Sequence, residues 1–230
     1  MIVIIREEIR SMIKQAKRTF LDRYNPEREV DRALSRAIAA AVGHNQLYGA
    51  NLPTVIKREI RGVWAAYLKM IASRVILIAQ GLDNEPINWD DPQAFRGQQF
   101  QAPSPINVRF YDAQAEARYV ALITGLRDEM NRRFMAHFCD GGFRISHSQK
   151  SISVFLKHLW CMGCSPMPIQ CPIDRHVLGL LPNGKQFGPW TLVNDIQTHS
   201  ATILALKQIS GAKPLAEWEL VNFLPNQPND

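Results

Sequence analysis

"SQKSISVFLKHLWCMGCSPMPIQCPIDRHVL", residues 148–178, decides how the chain is read. It opens on an apolar-striped segment in which Ile152, Phe155, Leu156 and Leu159 share one side of a helix. A turn rich in Cys, Pro and Met follows. The stretch then runs through Cys171-Pro172-Ile173 to Asp174 and a short apolar run. Lys150 stands in the first turn of that helix, where the backbone dipole favours anions, so a lysine there is out of place. Asp174 precedes "RHVLGLL" and has the chemistry of an N-cap for a short helix over 175–181. Either the stretch is a buried helix and an ordinary loop, or Lys150 and Asp174 face each other across a pocket.

Upstream, a helical segment ends near His137 and "CDGGFRISHS" breaks it. Gly141 and Gly142 permit backbone angles closed to other residues. Ser146 or Ser148 is placed to cap the next helix, which the pattern starts near Ser148. Such a helix start directs free N–H groups outward, among Arg144, His147, Gln149 and Lys150, and would suit a phosphate. A plain αα-hairpin with capped ends explains the same residues.

The rest of the chain is helical in period. Ile5, Ile9, Met12, Ile13, Ala16 and Phe20 form the stripe of a first helix. "NPERE" (25–29) supplies Asn, Pro and acids for the start of a second, striped by Val30, Leu34, Ala37, Ile38 and Ala41. A long helix is expected over 54–80, another over 112–137, and two more over 191–209 and 214–224. Residues 81–110 are polar, contain Pro and have no sustained period; a connection this long is often functional. The expected class is all-α, one unit over 1–230.

Two short motifs, in order, carry a resemblance. Lys150-Ser151-Ile152 begins the helix after the hairpin, and Pro172-Ile173-Asp174-Arg175 follows. Together they resemble the helix-hairpin-helix DNA glycosylases, nearest to the archaeal 8-oxoguanine glycosylase branch. The resemblance covers residues 139–180. The sequence departs from the pattern in having "RISHS" where most of the superfamily has a Gly-x-Gly turn, and in a shorter Lys-to-Asp spacing. The resemblance implies a two-lobed helical fold with a cleft between lobes, residues 112–180 forming the hairpin lobe and the remaining N- and C-terminal helices the other. It implies excision of a damaged or modified base flipped out of DNA, oxidised guanine or a bulky phage base such as glucosylated hydroxymethylcytosine. Lys150 and Asp174 would be catalytic, the lysine as a Schiff-base nucleophile. Gly141, Gly142, Arg144, Ser146, His147, Ser148 and Gln149 would bind the DNA backbone. No metal or other cofactor is needed. A non-catalytic DNA-binding module built on the same hairpin is the alternative.

Other features allow two readings each. Trp160, Phe187 and Trp190 could stack on an extruded base or pack in the core. Asn45 and Gln46, beside His44 and Tyr48, could read a base edge or cap a connection. Cys161-x-x-Cys164, with Cys171 and Cys139, could belong to a zinc site with His147, His158 or His176, or be core thiols. In iron–sulfur glycosylases the spacing runs C-x6-C-x2-C-x5-C; here it is C-x2-C-x6-C and nothing follows Cys171. The net charge of +6 permits a polyanionic partner without requiring one. No signal-peptide pattern or stretch of about 18 uncharged apolar residues is present, so a cytoplasmic monomer acting on double-stranded DNA, away from membranes, is expected.

Overall fold

The computed structural model describes residues 2–42, 47–49, 51–80, 114–139 and 141–223. It is mostly helical, with no strand among the described residues beyond an isolated bridge between Tyr48 and Phe138. Eight α-helices are described: α1 (Ile2–Tyr24), α2 (Val30–Val42), α3 (Thr54–Gln80), α4 (Ala115–Phe134), α5 (Ile145–Met162), α6 (Arg175–Gly179), α7 (Ile196–Ser210) and α8 (Leu215–Phe223). The expected long segment 81–110 lies outside the described residues.

Helix α5 is the axis. Every residue from Ile145 to Trp160 is buried, polar ones included. One side packs on α2, α3 and α4, in a core that holds Trp64, Tyr119, Ile123, Leu126, Phe143 and Phe155. Trp160 joins Phe20 and Leu21 of α1 and Ala216 and Leu220 of α8 in a second cluster. Cys171, Ile173, Val177 and Leu178 pack with Ile203, Leu206 and Leu215 in a third. A helix buried all round must give each polar side chain a partner. Trp64 Nε1 donates to Ser151 Oγ at 3.0 Å, and Tyr119 Oη lies 2.7 Å from Ser153 Oγ. Lys157 Nζ reaches both carboxylate oxygens of Glu219 on α8, at 2.9 and 3.0 Å.

Several helix starts differ from the sequence reading. The second helix begins at Val30, not at Pro26. Asn25 folds residues 25–29 into a turn instead: its Oδ1 accepts the Glu29 N–H at 3.1 Å, and Arg28 adopts a positive φ of 55° that helix cannot continue through. On α1, Ile9 and Met12 are 46% and 58% exposed, so the stripe is buried only toward its C-terminal end. Helix α5 begins three residues early, with Arg144 as N-cap, so Ser146 and Ser148 lie inside it and cap nothing.

The Lys157–Glu219 pair yields a prediction. Its side chains are 4% and 2% exposed. Removing one partner strands the other charge in the core, so Lys157→Met or Glu219→Leu alone is expected to lower stability by roughly 3–5 kcal/mol. The double substitution is expected to lose much less than the sum of the singles, as urea unfolding of all four proteins would report.

Candidate functional site

The hairpin and the loop after α5 bring the two singled-out residues together. Gly141 and Gly142 have φ of +86° and +96°. A Cβ on Gly142 would lie 2.6 Å from both Asn131 Oδ1 and Met135 Sδ, so the turn folds tightly on α4. Asn131 fixes it, accepting from Phe143 N at 2.7 Å and donating to Phe143 O at 2.8 Å. At the other end, Gly163 (φ +79°) terminates α5 and reverses the chain. The returning strand-like segment passes beside the first turns of α5. Gln149 grips it twice: Nε2 donates to Cys171 O at 2.7 Å, and Oε1 accepts the Ile173 N–H at 3.1 Å. That clamp delivers Asp174 to Lys150.

Lys150 Nζ and the Asp174 carboxylate form an ion pair through Oδ2, with side chains 9% and 19% exposed. Asp174 Oδ1 meanwhile accepts the Val177 N–H at 2.9 Å and caps α6. Burial alone would raise the Asp174 pKa. The Lys150 charge and hydrogen bond, the Val177 N–H and the Lys157 charge outweigh it, and the carboxyl is held below the usual carboxylate range. The Trp190 ring centroid lies 5.7 Å from Lys150 Nζ.

Lys150 opens onto a cavity of about 470 Å³. Phe20 and Tyr24 of α1, Arg36, Ala39 and Ala40 of α2, Val154, Lys157 and His158 of α5, Pro172, and Glu219 of α8 complete its wall. Lys150, Val154 and Lys157 follow one another at i, i+4 and i+7 along one stripe of α5. A larger open groove of about 650 Å³, beside Glu116, Pro168 and Lys207, has no amine–carboxylate pair of this kind. A third void, about 20 Å³, lies between Gln149, Phe187, Trp190 and His199 and has room for a single water.

The residues assigned to DNA contact are placed differently from the expectation. The α5 start does not present free N–H groups. Ile145 N donates to Asn194 Oδ1 at 3.3 Å, Ser146 N to Val193 O at 3.0 Å, and His147 N to Arg144 O at 3.1 Å. Segment 191–194 covers that end, and Arg144 Nη1 and Ser146 Oγ both donate to Thr191 O, at 3.0 and 3.2 Å. Ser146, His147, Ser148 and Gln149 are buried, as is Gly142; Gly141 is exposed at the turn. Of the aromatic residues, Trp160 packs under Lys17, whose Nζ sits 3.8 Å from its ring centroid, and Phe187 and Trp190 pack against the 171–215 cluster. None of the three lines the cavity beside Lys150. Asn45 and Gln46 lie outside the described residues.

The cysteines are all free thiols. Cys161 is pushed up to about 12 by burial, and burial raises Cys171 further. Among the described residues no group of three or more His, Cys, Asp or Glu is arranged to hold a metal ion. No described helix is long and apolar enough to cross a membrane.

No family model matches the chain, and neither the curated proteins nor the solved structures contain a significant match to it. The site therefore rests on its own geometry.

Two predictions follow from that geometry. Gln149→Met leaves the Cys171 carbonyl and Ile173 N–H buried without partners, at about 1–3 kcal/mol each. It is expected to speed hydrogen exchange at the Ile173 amide, which the tight clamp now protects. The second concerns acid. Burial, then Lys157 and Arg36, hold His158 at about 3; burial, then Arg144, hold His147 at about 4; burial, opposed by Glu116, leaves His199 at about 4. Each folded value is below the unfolded one near 6.5, so the unfolded chain binds more protons between them. Stability is therefore full above about pH 6.5 and falls as pH drops toward 4, by up to about 1.4 kcal/mol per pH unit per histidine. Asp174 adds its share only at lower pH, as its depressed carboxyl protonates. Urea midpoints that stay level between pH 7.5 and 4.5 would contradict this.

Proposed function

We propose that the protein is a DNA N-glycosylase that excises a modified base, with a two-lobed helix-hairpin-helix architecture. The observation that carries the reading is the Lys150–Asp174 ion pair at the mouth of a cavity large enough for a nucleobase. An amine and a carboxylate, both largely desolvated and side by side, are the groups that glycosidic cleavage at a deoxyribose carbon requires. The motif resemblance adds support, since it assigns the same two residues.

In the proposed reaction the target nucleotide leaves the helix stack and its base enters the cavity. The C1′–N bond breaks, its electron pair departs with the base, and the base takes up a proton. Positive charge grows on the sugar and Asp174, ionised at neutral pH, stabilises it. Asp174 accepts a proton from the Lys150 ammonium, and the freed lone pair attacks C1′. Opening of the sugar ring then gives an imine, from which elimination of the 3′-phosphate cuts the strand. If water attacks in place of the amine, the product is an intact abasic site.

The cavity bears on the substrate. A void of about 150 Å³ holds benzene, so 470 Å³ leaves room for more than a bare base. Its wall carries Arg36, Lys157, His158, Tyr24 and Glu219, which suits hydroxyl-rich substituents. Between the two expected substrates, this favours a bulky base such as glucosylated hydroxymethylcytosine over oxidised guanine, and with it a role in defence against phage.

Duplexes carrying single modified bases test the reading. Wild-type protein is expected to generate alkali-labile sites and to be trapped on DNA by borohydride. Lys150→Gln is expected to abolish trapping, and Asp174→Asn to slow base release by at least about a hundredfold, the scale of one lost electrostatic contact to a transition state. Tight, salt-sensitive duplex binding with no abasic product would instead establish a non-catalytic DNA-binding module.

A further inference from the structure

The inner end of the cavity contains a polar atom that the fold leaves without a partner. His158 is 1% exposed, and its Nδ1 makes no hydrogen bond. Its ring packs tilted against Phe20, with centroids 4.7 Å apart, which fixes its plane. It lines the same cavity as Lys150, eight residues further along α5. At 1.5 Å per residue, that places it about 12 Å from Lys150 along the helix axis. Buried polar atoms are almost always paired, so a lone one facing a cavity marks a place where a ligand completes the bonding.

We infer that His158 Nδ1 is a specificity-determining contact, made to a polar group of the flipped base at the end of the cavity remote from the sugar. The inference rests on the glycosylase reading and extends it to substrate selection. The group contacted is a carbonyl, amine or hydroxyl, because a neutral imidazole nitrogen either donates or accepts according to its tautomer. Burial and the charges of Lys157 and Arg36 keep the ring neutral, so it serves as a hydrogen-bonding group and not as a cation for phosphate. Lys150 and Asp174 at one end and His158 at the other would then divide the work: the pair acts on the sugar, and the histidine tests the base.

The experiment compares wild type with His158→Phe, His158→Asn and His158→Gln. Phe keeps a ring against Phe20 without the polar atom. Asn places an amide atom near the position of Nδ1; Gln places one near Nε2. Base release is measured on duplexes containing glucosylated hydroxymethylcytosine or 8-oxoguanine, and binding is measured on a duplex with a tetrahydrofuran abasic analogue, which has no base. His158→Phe and His158→Gln are expected to lose about tenfold in kcat/KM on the preferred base, the scale of one hydrogen bond. His158→Asn is expected to recover most of that loss, and all four proteins to bind the abasic analogue alike. Equal activity in all three variants, or equal loss in all three together with weakened abasic binding, would overturn the contact. Should wild type release neither base nor any other, the glycosylase reading itself falls; active wild type with no dependence on residue 158 removes only this inference. If His158→Phe fails to fold, the Asn-to-Gln comparison still decides.

Discussion

The burial of α5 on every side is the constraint on which the structure depends. A helix in that position with only apolar side chains would be an ordinary core element. This one carries Gln149, Lys150, Ser151, Ser153, Lys157 and His158 into the interior. Each must find a partner there, and the partners it finds determine where the neighbouring segments lie. Gln149 fixes the loop at Cys171 and Ile173, Ser151 meets Trp64 of α3, Ser153 meets Tyr119 of α4, and Lys157 ties down α8. The polar face of the helix thus specifies the arrangement of the molecule as much as the apolar faces do.

The two lysines on the cavity stripe are held in different ways. Lys157 has both oxygens of Glu219 close by and almost no solvent. Lys150 has one oxygen of Asp174, and both partners are somewhat more open to solvent. The more enclosed pair resembles a structural clasp between α5 and α8. The less enclosed one leaves the amine next to open volume.

Apolar periodicity made much of the fold legible. The long helix over 54–80 is found at Thr54–Gln80, because its period is unbroken. The α2 stripe is likewise buried as read. The juxtaposition of Lys150 and Asp174 was accessible because two short motifs bracket one helix and one turn. The α5 start was misplaced because Ser146 and Ser148 look like caps, and nothing local signals that segment 191–194 would supply the hydrogen bonds. The cavity wall was not legible at all: Phe20, Arg36 and Glu219 come from three helices distant in sequence. Only the i, i+7 spacing of Lys150 and Lys157 on an otherwise apolar helix hinted that a second cation shared the site.

Asp174 divides its carboxylate between two duties, one oxygen on the Val177 N–H and the other on Lys150. Both duties call for an acceptor. An amide side chain has one acceptor and one donor, so whichever way it turns, an NH₂ meets either an ammonium or a backbone N–H. The position consequently admits no neutral mimic of the same shape: charge, helix start and orientation toward the amine are bound up in a single planar group.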